Sequence, residues 1–492
     1  MNFRLIFYII GQIMRVEGLL MLIPFACSLI YKEASWSSLL IPIGLLLLVS
    51  TLLTIRRPSK GDRMGVRDGL FVVGVSWIIL SLFGMLPFIL CGAISHPVDA
   101  FFETVSGFTT TGATVLGEVV GTLPEDLDRG IALWRSLTHW IGGMGVLVFV
   151  LAVMPQQQFK SARLMHAMRA EVPGPTATKV VATIRRSAAI MYAIYVGLTL
   201  LEIVFLLFGG MSLFDAVLHT FSTAGTGGFS NMNASIGAFD SSYIHWVITV
   251  FMLIFSINFN LYYLILIGHV SQALMSEELR WFGIVVGVST AIVTLNILPQ
   301  SESFSIALRD ASFTVASFIS TTGFTTVTYD AWPQLSQAIL VLLMFIGGCA
   351  GSTCGGLKIS RLIILIKSSL RELRFTLRPR EVRAVRSEGK AVDDDTVRGV
   401  HAYFSILMII FVLSTVLLML LNKSDLITSF TAVASCLNNV GPGLGEIGIL
   451  GGGSFGGFTT AAKLLLSFDM LLGRLELFPI LILFLPSAWR KK

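Results

Sequence analysis

Four glycine-centred stretches recur along the chain, and their residue types suit the binding of a dehydrated cation. They read TTTGATV, STAGTGGFS, ISTTGFTTV and LNNVGPGLG, with central glycines at positions 112, 228, 323 and 441. In a potassium channel, backbone carbonyl oxygens replace the water shell of the ion. Glycine allows the backbone angles that such a loop requires, and the short hydroxyl residues before it add oxygen atoms without bulk. The pattern therefore predicts cation-binding loops.

Each stretch belongs to a longer unit that is repeated four times. A serine lies six residues before every central glycine, at positions 106, 222, 317 and 435. An aspartate lies thirteen residues before the first three glycines, as Asp99, Asp215 and Asp310, and Thr428 takes its place in the fourth unit. We expect each aspartate to cap the N-terminus of a short helix. Gly- and Thr-rich packing between transmembrane helices is the alternative explanation, but such packing does not require four copies with a fixed serine.

The elements that position these loops follow from composition. Hydrophobic residues make up 54% of the 492 residues and charged residues 13%, and the mean hydropathy is +0.81. Apolar stretches of about 20 residues, long enough to cross a bilayer, recur along the chain, so we expect a multi-pass membrane protein. The helices before the loops, with about 12 residues each, are too short to cross. Each must return to the same side, and its loop must be buried in protein or line a watery cavity.

The basic residues predict the orientation of the chain. They are concentrated at positions 56–67, 160–186, 358–398 and 490–492, whereas the alternate connections contain acidic residues such as Glu118, Asp240 and Asp330. By the positive-inside rule, the four basic clusters and both termini lie in the cytoplasm. Membrane topology thus accounts for the net charge of +6, and we expect no nucleic-acid partner. The acidic outer connections would concentrate cations at the outer mouth.

The four loops, together with FSINFNLYYL (255–264), GGCAGSTCGGLKISR (347–361) and MLLGRLELFP (470–479), resemble the TrkH/TrkG/KtrB superfamily of potassium uptake proteins over nearly the whole chain. Two extra apolar spans at about 5–30 and 37–55 are more similar to the TrkH branch. The resemblance implies an all-α integral membrane protein with four M1-P-M2 potassium-channel-like repeats around a central pore. The predicted boundaries are 1–66 for a two-helix extension, then 67–160, 161–275, 276–392 and 393–492 for repeats 1 to 4.

The same resemblance implies that filter carbonyls come from the three residues that end at each central glycine. These are Thr110, Thr111, Gly112, Thr226, Gly227, Gly228, Thr321, Thr322, Gly323, Asn439, Val440 and Gly441. The residue after the glycine is Ala113, Phe229, Phe324 or Pro442, so the second glycine of a full potassium-channel signature is absent. We therefore expect a preference for potassium over sodium that is less strict than in such a channel.

A glycine-rich segment interrupts the second long helix of the third repeat, at about 335–368. Its low helix propensity predicts an unwound loop, and a bend without a role is the alternative. In the family this segment obstructs the pore below the filter, and Arg474 matches a basic residue that projects into the pore. An ion pair of Arg474 with Asp469 or Glu476, or snorkelling to the interface, is the alternative there. The implied gate residues are Gly347, Gly348, Gly351, Ser352, Gly355, Gly356, Lys358 and Arg474.

The resemblance also implies partners. It predicts a homodimer in the bacterial inner membrane, in contact with lipid, and a cytosolic TrkA-like ring of nucleotide- and NAD-binding regulatory subunits. The charged segment 371–398 would contact such a subunit or anionic lipid, or would be a solvated connection. Potassium is the expected transported ligand, and we expect no cofactor on this chain.

Two other classes of function compete with an ion pathway. The sequence contains no Walker loop, HExxH motif or zinc-ligand cluster, so we do not expect an enzyme. A secondary transporter that couples potassium or sodium to protons or another solute is the stronger rival, because broken helices also build substrate sites in such proteins. Four repeats of one orientation, each with a re-entrant loop, favour a central pore instead.

Overall fold

The computed structural model of the chain describes residues 2–55, 58, 66–145, 184–378 and 384–484. These residues form helices, apart from loops and one short antiparallel hairpin of β1 (Arg386–Ser387) and β2 (Lys390–Ala391). Most residues of the predicted basic clusters at 56–67 and 160–186, all of the cluster at 490–492, and the predicted boundary at 160/161 lie outside the described residues.

The chain begins with a helical extension. Helices α1 (Phe3–Leu20) and α2 (Leu22–Ile30) together make one apolar span of 28 residues, and α3 (Trp36–Thr54) makes the next. Gly11 of α1 lies against the side chains of Leu53 and Thr54, where an added Cβ would lie 2.9 Å from each. Small residues allow this close approach of two membrane helices.

Three helices then recur in the same order in four successive rounds. A long helix opens each round, a short one follows, and a third precedes the next round. The opening helices are α4 (Val66–Gly84), α8 (Ile184–Phe208), α13 (Glu277–Ile297) and α17 (Asp394–Asn422). The short helices are α6 (Pro97–Phe108), α9 (Leu213–Gly225), α14 (Phe304–Ile319) and α18 (Leu426–Asn438). The third helices are α7 (Arg129–Gly143), α10 (Ser242–Phe255), α15 (Gln334–Ile346) and α19 (Thr460–Arg474).

The remaining α-helices of the described chain lie between or after these elements. They are α5 (Leu86–Leu90), α11 (Phe259–Leu266), α12 (Val270–Leu274), α16 (Ile359–Leu377) and α20 (Phe478–Leu481). Six spans in the described residues are long and apolar enough to cross a membrane, and α10 with α11, which bend by 92°, would make a seventh. The mostly helical, multi-span fold agrees with the predicted fold class.

The outer faces of the long helices are apolar. Leu295 of α13 is 66% exposed and Leu420 of α17 is 72% exposed. Apolar side chains are compatible with hydrocarbon, and a helix satisfies its backbone hydrogen bonds internally, so these surfaces can face lipid. The short helices lie in the interior instead, where residues such as Phe102, Phe313 and Phe318 are fully buried.

The predicted N-caps of the short helices are wrong. Serine caps two of them: the Ser212 side chain accepts from the N–H of Asp215, and the Ser303 side chain accepts from Ile306. Asp215 and Asp99 therefore lie in the first turn, and Asp310 lies well inside α14. The helices begin earlier than expected because serines and a proline upstream supply their start signals.

Candidate functional site

The four short helices end in one shared backbone arrangement. The residue two before each central glycine has a left-handed φ of 53° to 56°, at Thr110, Thr226, Thr321 and Asn439. The N–H of the next residue donates to the carbonyl of the repeated serine at 2.8 to 2.9 Å. This is the Schellman helix ending. The serine that recurs in the sequence thus supplies a backbone acceptor, and its side chain is buried at 0% exposure in all four copies.

Left-handed angles at these positions are strained for threonine. A β-branched residue with positive φ is a genuine outlier, and such strain persists only where the surroundings impose it. Three of the four helix endings carry threonine there. The central glycines are also left-handed, with φ of 78°, 77°, 83° and 101° in chain order. Left-handed angles at alternate positions give the four loops the same backbone path.

The loops close into a ring. A Cβ added to Gly112 would lie 1.9 Å from the carbonyl oxygen of Gly227, and one on Gly228 would lie 2.0 Å from that of Thr322. A Cβ on Gly323 would meet the Val440 carbonyl oxygen at 2.2 Å, and one on Gly441 would meet that of Thr111 at 2.6 Å. Each glycine therefore contacts the residue before the glycine of the next loop, and the fourth loop returns to the first. Eight of the twelve predicted filter residues make these contacts, and the other four directly precede them in the chain.

The ends of the short helices place partial negative charge at the ring. Four helix C-termini converge on it, and each carries a partial negative charge from its unpaired carbonyl groups. On one side it opens into a cavity of about 440 Å³ whose lining includes all four central glycines. We call it the outer cavity, after the predicted orientation of the chain. The arrangement can therefore offer carbonyl oxygens to a cation that comes from this cavity.

The glycine-rich segment of the third repeat is unwound and lies against the ring. Helix α15 ends at Ile346 and α16 begins at Ile359, and we call residues 347–358 the intramembrane loop. The Gly355 N–H donates to Oγ1 of Thr321 at 2.7 Å. A Cβ on Gly355 would lie 2.2 Å from the carbonyl oxygen of Asn438. The loop thus contacts the third and fourth glycine-centred loops at their helix ends, away from the outer cavity.

Glycine is required within the intramembrane loop itself. Gly347, Gly351 and Gly356 have φ of 71° to 75°, and Lys358 has φ of 77°. A Cβ on Gly348 would lie 2.7 Å from Sγ of Cys354. The loop is therefore a compact, folded segment whose backbone path most side chains would block.

Neighbouring helices anchor the intramembrane loop. The Cys349 N–H donates to the Ser256 carbonyl at 2.9 Å, and the Phe259 N–H donates to the Gly351 carbonyl at 3.1 Å. These two contacts lie at the break between α10 and α11. Glu278 of α13 accepts from the N–H of Ala350 at 2.7 Å and from that of Ser360 at 3.2 Å. Sequence reasoning missed Glu278, because a glutamate in the first turn of a helix is common at a solvated end.

Arg474 connects the intramembrane loop to the first repeat. From the end of α19 its guanidinium donates to the Thr353 carbonyl at 2.7 Å and to the carbonyls of Gly142 and Gly143 at 2.6 Å. It lines a cavity of about 40 Å³, together with Ser352, Gly355, Gly356 and Lys358 among others. This cavity has about a tenth of the outer cavity's volume, and the arginine and the intramembrane loop form part of its wall.

The other charges near the C-terminus have their own partners. Glu476 pairs with Arg361, whose guanidinium lies 4.2 Å from the centre of the Tyr403 ring. Asp469 accepts from the Ser414 hydroxyl at 2.9 Å. These contacts differ from the alternative in which Asp469 or Glu476 pairs with Arg474. Lys358 is also buried, and its ammonium donates to the Cys354 carbonyl within the intramembrane loop.

Two further charged residues that the sequence did not single out as a pair lie behind the ring. Arg135 of α7 and Glu103 of α6 form an ion pair at 2.6 Å, with side-chain exposures of 4% and 0%. Only a weak signal in the sequence points to this ion pair: Arg135 lies inside a largely apolar helix and has no acidic neighbour there.

Comparison with known proteins places the chain in the class of membrane cation transporters. A family model described as TrkH, a cation transport protein, matches residues 39–491. The Trk system potassium uptake proteins TrkH of Halomonas elongata and of Escherichia coli are 33% and 35% identical, and each alignment covers 100% of both chains. The crystal structure of the potassium transporter TrkH from Vibrio parahaemolyticus superposes with a TM-score of 0.89, at 33% identity and full coverage of both chains. The chain belongs to the TrkH family of cation transport proteins, as its loops predicted.

Proposed function

We propose that this chain takes up potassium across the bacterial inner membrane through the ring of four loops. The closed ring carries the proposal, since each loop has the same φ pattern and each central glycine meets the carbonyl of the next loop. Carbonyl rings of this kind replace the hydration shell of a potassium ion. The relatives named as potassium uptake proteins, aligned over the full chain, support the same ion.

We propose further that the intramembrane loop and Arg474 close this pathway below the filter. The loop bonds to Thr321 of the ring, and Arg474 bonds to the loop. A cation fixed in a small cavity beneath the ring raises the electrostatic barrier for potassium. Opening would be controlled by a cytosolic TrkA-like, nucleotide-binding ring that acts on a homodimer of this chain. The basic helix α16, which directly follows the loop, is the route we propose for that control.

Growth of a bacterium that lacks potassium uptake tests the transport proposal. The wild-type chain, produced with its regulatory partner, should restore growth at low external potassium. Gly323→Ser should not, because its Cβ would lie 2.2 Å from the Val440 carbonyl oxygen. If both versions restored growth equally, the filter assignment would be wrong.

Purified protein in liposomes separates the pore from a coupled transporter. With potassium and sodium both present, a filter should pass potassium in preference to sodium, though less strictly than a full potassium-channel signature does. Equal passage of the two ions would contradict the filter. Flux that requires a proton or sodium gradient would favour the secondary transporter.

A further inference from the structure

A second ring of hydrogen bonds surrounds the outer end of the filter. In every loop the carbonyl two residues beyond the central glycine accepts a hydrogen bond from another repeat. The bonds run from Phe455 N–H to Thr114 at 2.8 Å, from Arg135 Nη1 to Ser230 at 2.8 Å, from Gly237 N–H to Thr325 at 3.1 Å, and from the Tyr329 hydroxyl to Gly443 at 2.7 Å. Each donor lies in the predicted repeat that precedes its acceptor, and repeat 4 donates to repeat 1. We call these four bonds the outer brace.

Arg135 is the charged donor among these four. Its side chain is buried, and its guanidinium carbon lies 3.5 Å from the centre of the Phe229 ring, next to the central Gly228. Charge-assisted hydrogen bonds are shorter and stronger than neutral ones. A buried arginine without a partner is costly, and Glu103 supplies that partner at 2.6 Å.

Glu103 also holds the first filter loop. Its carboxylate accepts from the Thr114 hydroxyl at 2.9 Å and from the Val115 N–H at 2.8 Å. Arg135 meanwhile holds Ser230 of the second loop. One buried ion pair therefore connects the outer ends of two neighbouring filter loops. In the other three bonds of the outer brace the donor is neutral.

We propose that Glu103 and Arg135 form a positioning pair that sets the spacing of the first and second filter loops and thereby the discrimination between potassium and sodium. The proposal rests on the filter function proposed above. Discrimination by carbonyl rings depends on how the oxygens are held around the ion. This filter has no second glycine in its signature, so its outer end depends on side chains behind it. Arg135 also lines the outer cavity, where an unpaired positive charge would repel incoming cations.

The test compares four variants with the wild type in liposomes: Glu103→Gln, Arg135→Gln, the double variant and Arg135→Lys. The measurements are the potassium-to-sodium permeability ratio from the reversal potential, and the potassium flux per folded protein. Each glutamine variant should lower the ratio by roughly tenfold, the factor that about 1.4 kcal/mol represents. Glu103→Gln should also reduce flux, because Arg135 then remains as an uncompensated cation. In the double variant flux should recover, and the ratio should fall no further than in the worse single variant, as expected for coupled residues.

Arg135→Lys distinguishes positioning from charge. Lysine keeps the positive charge but loses the planar fork that reaches both Glu103 and Ser230. Its ratio should therefore lie between those of the wild type and Arg135→Gln. A ratio equal to that of Arg135→Gln would also support the positioning role. A ratio equal to that of the wild type would assign the effect to charge and would overturn the positioning role.

Arg309→Gln is the matched control. Arg309 pairs with Asp310 on the third short helix at 2.9 Å and donates to Ser242 at 3.0 Å, and neither partner belongs to a filter loop. It should keep the wild-type ratio. The positioning role is overturned if the wild type prefers potassium while Glu103→Gln and Arg135→Gln keep its ratio and differ only in the amount of folded protein. A wild type with no potassium preference would instead overturn the proposed filter itself.

Discussion

Replacing Arg474 by alanine should raise potassium flux. The wild-type guanidinium donates to one carbonyl of the intramembrane loop, at Thr353, and to two carbonyls at the end of α7. It thereby ties the loop to the first repeat and places a positive charge in a cavity of about 40 Å³. Alanine removes the tie and the charge together, so both effects should favour the conducting state.

The size of the effect follows from the bond to the loop. A hydrogen bond to a charged group contributes about 1.5 to 3 kcal/mol. The Thr353 contact at 2.7 Å is the one that joins the arginine to the intramembrane loop. If the intramembrane loop has a closed and an open position, loss of this bond would shift the equilibrium towards the open position by a factor of roughly 10 to 150. If conduction requires the loop to move, flux through a mostly closed pathway should rise by up to that factor.

Flux into liposomes, normalised to folded protein, measures this change without the regulatory partner. Arg474→Lys separates the two contributions, because lysine keeps the charge but cannot reproduce the planar contacts of arginine. If charge is the barrier, the lysine variant should keep a low flux. If the tie is the barrier, it should conduct nearly as well as alanine. A flux unchanged by alanine would refute both explanations.

Three further predictions concern the ring and its supports. Gly323→Ser should abolish growth of the uptake-deficient bacterium at low external potassium. Gly121→Ser, at a glycine with φ of 78° and open space around it, should keep that growth; loss of growth in both variants would point to backbone strain alone. Glu278→Ala frees the N–H groups of Ala350 in the intramembrane loop and of Ser360 at the start of α16, and it should raise basal flux in liposomes; a flux at the wild-type level would show that the other anchors suffice. Tyr329→Phe leaves the Gly443 carbonyl unpaired and should destabilise the protein by about 1 to 3 kcal/mol, which thermal unfolding would show; an unchanged melting temperature would argue against the outer brace.

Local features of the sequence were sufficient to locate the four glycine-centred loops that share one backbone path. A glycine that needs positive φ, short hydroxyl residues and a fixed serine are all properties of a few neighbouring residues, and they recur four times. The serine spacing reflects the Schellman ending, in which an N–H bonds to a carbonyl five residues earlier. The break at Gly347 could be predicted for the same reason, since a run of glycine, serine and cysteine disfavours a helix wherever it occurs.

The pairing of charges was decided by the tertiary structure. Asp99 is one of three aspartates at a repeated spacing that suggested helix caps. Its carboxylate instead pairs at 2.7 Å with Lys463, 364 positions away. Glu278 and the Glu103–Arg135 pair likewise act on groups from other helices. No local pattern encodes such partners, because a buried charge can be satisfied by any helix that packs beside it.

The sequence by itself therefore determined that the chain is a multi-pass helical protein with four similar glycine-centred loops, because hydropathy and backbone propensity are local properties. The tertiary structure decided that those loops close into one ring, that the intramembrane loop lies against Thr321, and that Arg474 reaches both the loop and α7. These contacts depend on how helices far apart in the chain pack together, and packing is a property of the whole fold.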